Sequence, residues 1–132
     1  MLKWSDIWLL KSIELASSTD GDFYVNVIGS ADWINHAIIT WQEYNNGIEA
    51  LLDNELIEIQ NKKPVITHKA SEVLTKYAKF GIRTQMEKIE KALKAEKYNS
   101  SDNPNESRTE NIYISKGNFN NAVIQYQQKM GI

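Results

Sequence analysis

Cysteine is absent from the 132 residues, which excludes disulfide staples, thiolate zinc sites, iron–sulfur ligation and thiol nucleophiles together. Histidine occurs only as His36 and His68, with no ligand spacing between them, so no transition-metal site is expected. No apolar run approaches the roughly 18 residues that a membrane span needs. Asp6 and Lys11 interrupt the apolar stretch at the start, unlike a signal peptide, and a cytoplasmic location is expected. There is no nucleophile elbow, phosphate loop or dinucleotide fingerprint, so neither an enzyme nor a cofactor is expected. The sharpest deficit is in positive charge. Between Ser12 and Asn61 there is no Lys or Arg, while nine acids give that segment a net −9.

The remaining composition is that of a globular domain, with 42% hydrophobic and 24% charged residues. The overall charge of −2 offers no bulk attraction to nucleic acid or anionic membrane. A chain of this length buries roughly two-thirds of its unfolded surface and folds without a staple.

Trp4 to Ala16 is apolar on more than one face and predicts a helix buried on several sides, with Ser5 as its cap and Asp6 in its first turn. Ser17 to Asp22 is a turn in which Gly21 is free to take positive φ. Phe23, Val25 and Val27 alternate with Tyr24 and Asn26, predicting a short strand. Gly29 ends that strand, and Ser30 then caps a second helix. Thr40 and Glu43 form a capping box, with Ile39 and Tyr44 as its hydrophobic staple. The helix they open turns Trp41, Tyr44, Ile48, Leu51 and Leu52 inward. Gln42, Glu43, Asn45, Asn46 and Glu49 face outward.

Leu56 to Ile59 and Val65 to Thr67 predict a hairpin, with Pro64 at a strand start or edge. Thr67 caps a further helix carrying Val73, Leu74, Tyr77 and Phe80, and Gly81 ends or bends it. Arg83 to Tyr98 is amphipathic, with Met86, Ile89 and Leu93 in one stripe. Glu72/Lys76, Glu87/Lys91 and Glu90/Lys94 stand in the favourable acid-first i,i+4 order. Residues 99–111 are polar and aperiodic and read as a flexible linker. A short strand, Ile112 to Ile114, and a helix from about Asn118 follow, with Phe119, Val123 and Tyr126 on one face.

Three pieces of this pattern resemble the winged-helix family: the helix from Thr40, the run Leu51-Leu52-Asp53-Asn54-Glu55-Leu56-Ile57-Glu58-Ile59, and Val65-Ile66-Thr67-His68-Lys69-Ala70. The family usually has glycine where this chain has Glu55, and often where it has Ala70, so the turn after Leu52 falls to Asn54 or takes a different form. The expected architecture is mainly α (α+β): a winged-helix-like domain over 1–81, a helical extension over 82–98, the linker, and a C-terminal strand and helix over 112–132. That last piece packs back or onto a second subunit, and Met86, Ile89, Leu93, Phe119, Val123 and Tyr126 are candidate dimer contacts.

The resemblance implies that the helix from Thr40 enters a DNA groove while the hairpin touches phosphates. The charges oppose this. Phosphate contact is made by cations, and the outward face carries Glu43 and Glu49 instead. Gln42, Asn45 and Asn46 can read adenine edges, and Lys62 and Lys63 sit at the wing tip. The reading favoured by the residues is a non-enzymatic regulatory module that binds a protein partner through this face. The alternative is a dimeric DNA-binding regulator. The four tryptophans, at 4, 8, 33 and 41, are expected in the core.

Overall fold

The computed structural model describes residues 2–95 and 114–131, six helices and a two-stranded antiparallel hairpin. The protein is mainly helical. In chain order the elements are α1 (Trp4–Ser17), α2 (Phe23–Asn35), α3 (Trp41–Asp53), β1 (Ile57–Gln60), β2 (Lys63–Ile66), α4 (His68–Lys76), α5 (Ile82–Ala95) and α6 (Lys116–Lys129). The linker at 99–111, residues 96–98 of the helical extension, and Ile112 and Tyr113 of the expected last strand lie outside the described residues. Ile114 is not in a strand.

α1 is the central element, packed by α2, α3, α5 and β2. Every residue from Asp6 to Ile13 is buried, as its apolar content on several faces requires. Two of the buried polar groups are matched locally: Lys11 Nζ meets Glu14 at 2.6 Å, and the Ser12 hydroxyl donates to the Trp8 carbonyl. The Trp8 indole N–H donates to the Ala31 carbonyl at 2.9 Å, tying α1 to α2. The cap differs from expectation. The N-cap is Lys3, two residues before Ser5, and the Asp6 carboxylate accepts from the Lys3 backbone N–H at 2.8 Å.

The strand expected at Phe23 to Val27 is the first part of α2. Asp22, not Ser30, caps it by accepting from the Val25 N–H at 3.0 Å. Val25, Val27, Ile28 and Ala31 are buried together, which an alternating strand could not do. Packing against α1 and α6 thus overrides the local β preference of a valine- and aromatic-rich segment. Gly29 lies inside the helix. A Cβ there would stand 3.1 Å from Tyr126, so glycine admits the ring of α6 close to the α2 backbone. Gly21 takes φ +112°, as the turn requires.

α3 follows its sequence signals. The Thr40 hydroxyl accepts from the Glu43 N–H and the Glu43 carboxylate accepts from the Thr40 N–H, at 3.1 and 2.9 Å. Tyr44, Ile48 and Leu51 are fully buried, and Ile39 before the cap is as well. Gly47 is in contact with α1, where a Cβ would stand only 2.6 Å from Leu9 Cδ2. The turn after α3 is made by Glu55 at φ +59°, whereas Asn54 keeps φ −96°. The chain therefore uses the left-handed position itself, without the glycine, and Asn54 instead bonds its side-chain amide back to the Ala50 carbonyl at 2.7 Å.

β1 and β2 pair with Ile57 opposite Ile66 and Gln60 opposite Lys63. The connection is the two residues Asn61 and Lys62, both left-handed at φ 51° and 65°. This is the geometry of the tight hairpin turn that usually carries Asn-Gly. Thr67 caps α4 by accepting from the Ala70 N–H at 3.2 Å. Ser115 caps α6, which begins at Lys116.

Candidate functional site

The outward face of α3 is smaller than its sequence suggests, because the C-terminal segment covers one flank. The Trp41 indole N–H donates to the Ile114 carbonyl at 2.7 Å, and the Asn45 amide reaches the same oxygen at 3.4 Å. Asn45 is thus half-buried and committed to holding the approach to α6. Glu43 is half-buried and spends its carboxylate on the cap. Gln42 and Asn46 are the exposed members of the set, and Glu49 is half-buried.

Behind this face Tyr44 sits between Tyr24 and Phe119, with ring centroids 5.9 and 5.7 Å away. Burial, then the neighbouring Tyr24, hold the Tyr44 hydroxyl protonated well above the ordinary tyrosine range. This aromatic stack supports α3 from inside.

Lys62 and Lys63 are both exposed at the hairpin tip. Lys62 borders a cleft of about 570 Å³ whose other walls include Asp22 and Tyr24 at the start of α2 and Ser115, Asn118 and Asn121 at the start of α6. Ile114 lines the same cleft, so the chain that is bonded to α3 also borders the space beside the hairpin tip. A second groove, of about 510 Å³, runs from Thr40, Trp41 and Gln42 to Lys116, Asn120 and Val123 of α6.

The six candidate dimer contacts are largely covered within one chain. Met86, Ile89 and Leu93 are buried, with α5 lying on α1 and α4. Phe119 and Tyr126 are buried and Val123 is half-buried, with α6 lying on α2 and α3. The two stripes find separate neighbours because α1 and α2 each keep an apolar flank open to receive one. The Tyr126 hydroxyl donates to Asp32 Oδ2 at 2.6 Å. Asp32 and His36, one turn apart, meet through backbone only: the His36 N–H donates to the Asp32 carbonyl.

Trp33 is the feature that sequence reasoning missed. It is 60% exposed, beside a cavity of about 310 Å³ formed by Leu15, Val25, Gly29, Tyr126 and Met130. Of the four tryptophans, Trp8 is buried, Trp41 half-buried, and Trp4 36% exposed over Trp8. The misplaced start of α2 hid this. Once the helix runs from Phe23, Trp33 falls off the stripe of Val27, Ile28 and Ala31.

Among the described residues no three His, Asp or Glu side chains gather as a metal ion would require. His68 is exposed and lies 3.0 Å from the Glu72 carboxylate. No described helix is long and apolar enough to cross a membrane. Comparison with protein-family models, curated proteins and solved structures finds no match in any of the three.

Proposed function

We propose that residues 1 to about 81 form a winged-helix module that is non-enzymatic and binds a protein partner through the exposed face of α3. Three helices, a hairpin with a two-residue turn and a fourth helix opened by Thr67 support the fold reading. The observation that carries the functional reading is the chemistry of that face. Gln42 and Asn46 are open to solvent next to Glu43, in a stretch from Ser12 to Asn61 without one lysine or arginine.

Insertion of such a face into a DNA groove sets carboxylates near phosphates, a repulsion of about 1 kcal/mol for each close pair even in water. Amides and a fixed carboxylate instead suit a basic or polar protein surface, where charge complementarity sets orientation and encounter rate. Glu43 is held by the cap, so its charge is preorganised and loses little freedom on docking.

A photo-crosslinking residue placed at 42 or 46 tests this in cells. The expected result is a discrete protein adduct from these positions and none from a control at Ile124. The Glu43→Lys variant, with helicity checked by circular dichroism, should lose the adduct from position 42. Nucleic-acid adducts from 42 and 46, or no adduct at either, would overturn the reading.

A further inference from the structure

The corner between α4 and α5 is opposite in sign to the face of α3. Lys76, Lys79, Arg83, Lys88 and Lys91 are all exposed there. The acid-first pairs expected to neutralise them form only in part. Glu72 turns to His68, leaving Lys76 over the Tyr77 ring at 5.5 Å. Glu90 reaches Lys94 at 3.0 Å. Among the described residues, Glu87 and Lys91 make no ion pair, and Glu87 is the one acid left exposed on the first turns of α5.

The cations are also held in place. Lys88 and Lys79 sit over the Phe80 ring at 4.9 and 5.5 Å, contacts that fix an ammonium without cancelling its charge. The bend itself is pinned by buried Gln85, whose side-chain amide donates to the Phe80 and Ala78 carbonyls at 2.7 and 3.3 Å.

We propose that this corner binds the phosphate backbone of a nucleic acid, without reading its sequence. Charge complementarity names the partner class, and the surroundings narrow it. Among the described residues, the large exposed hydrophobic side chains are Trp4, Trp33, Ile124 and Met130, all outside α4 and α5. An anionic membrane would need a side chain to insert beside the charges. The corner offers fixed cations and half-buried rings already covered by lysines, which suits the closely spaced phosphates of a nucleic-acid backbone. The site is separate from the α3 face and does not depend on the proposal made for it.

The test is fluorescence anisotropy of the full chain on a mixed-sequence duplex across a salt series. If all five cations engage, affinity falls about 500-fold between roughly 50 and 200 mM salt. The variant Lys79→Gln/Arg83→Gln/Lys88→Gln, all at exposed positions, should reduce the log–log salt slope by about 2.7 with an unchanged circular dichroism spectrum. Lys62→Gln/Lys63→Gln should leave the slope as it is. No duplex binding, a slope lost only in the hairpin variant, or capture by phosphatidylserine vesicles in place of the duplex would each overturn the proposal.

Discussion

The Tyr126 hydroxyl donates to Asp32 Oδ2 at 2.6 Å, joining α6 to α2 across 94 residues of sequence. Burial first, then the bonded Asp32 carboxylate, push the hydroxyl up to about 12. A raised value means that the fold holds the neutral phenol. The contribution is complete below the ordinary tyrosine value of about 10 and is lost as pH rises through about 12. Amide exchange of α6, corrected for intrinsic rates, should accelerate across that window. Tyr126→Phe should remove this pH dependence and cost about 1 kcal/mol at neutral pH; an unaltered alkaline profile would contradict the role given to the bond.

Gly47→Ala should destabilise the protein although alanine is the better helix former. The gain in helix propensity is at most about 1 kcal/mol. The new Cβ would stand 2.6 Å from Leu9 Cδ2 in a fully buried contact, and overpacking of this kind costs about 1–3 kcal/mol. A lower melting temperature that recovers in the Gly47→Ala/Leu9→Ala double variant, relative to Leu9→Ala, is the expected cycle. A higher one in the single variant would show that α1 and α3 can move apart freely.

Four described non-glycine residues hold left-handed backbone: His36 and Asn61, of types that adopt it more readily, and Glu55 at φ 59° and Lys62 at φ 65°, of types that seldom do. Each conformation costs an L-residue about 1–2 kcal/mol, which glycine avoids. Glu55→Gly and Lys62→Gly should each raise the chemical denaturation midpoint, a gain of about 0.5–1 kcal/mol in unfolding free energy after the added chain entropy of glycine. The 3.9 Å approach of Glu55 to Lys69 is exposed and contributes little. Lys63→Gly, in the strand, should lower the midpoint.

Leu51→Asp or Tyr44→Asp should unfold the chain. Both side chains have no exposed surface, and an unpaired buried carboxylate costs more than about 4 kcal/mol, a large part of a domain's total stability. A retained melting transition in either variant would contradict the inward assignment of this side of α3.

What was legible in the sequence was what local chemistry decides. Thr40 with Glu43, Thr67 three residues before Ala70, and the apolar set Tyr44, Ile48 and Leu51 state their helices without help from distant residues. Phe23 to Val27 was misread because its alternation is a local preference. Its helical state depends on Asp22 capping from outside the segment and on α1 and α6 covering Val27, Ile28 and Gly29. The α3 face was legible in membership but not in use. Nothing near Asn45 announces that its amide would serve Ile114, 69 residues on. The hairpin was placed correctly, while Glu55 took the turn assigned to Asn54 because Asn54 found a backbone acceptor behind it.

The bond from Trp41 to Ile114 closes 73 residues, and the entropy of so long a loop is met only once α2 and α3 are in place to receive α6. Docking of α6 is therefore a late event during folding. Until it occurs, the Tyr44 ring lacks Phe119 as its neighbour, and the α2 backbone at Gly29 stands uncovered. That interval, before the last helix arrives, is when unfinished chains are most prone to aggregate.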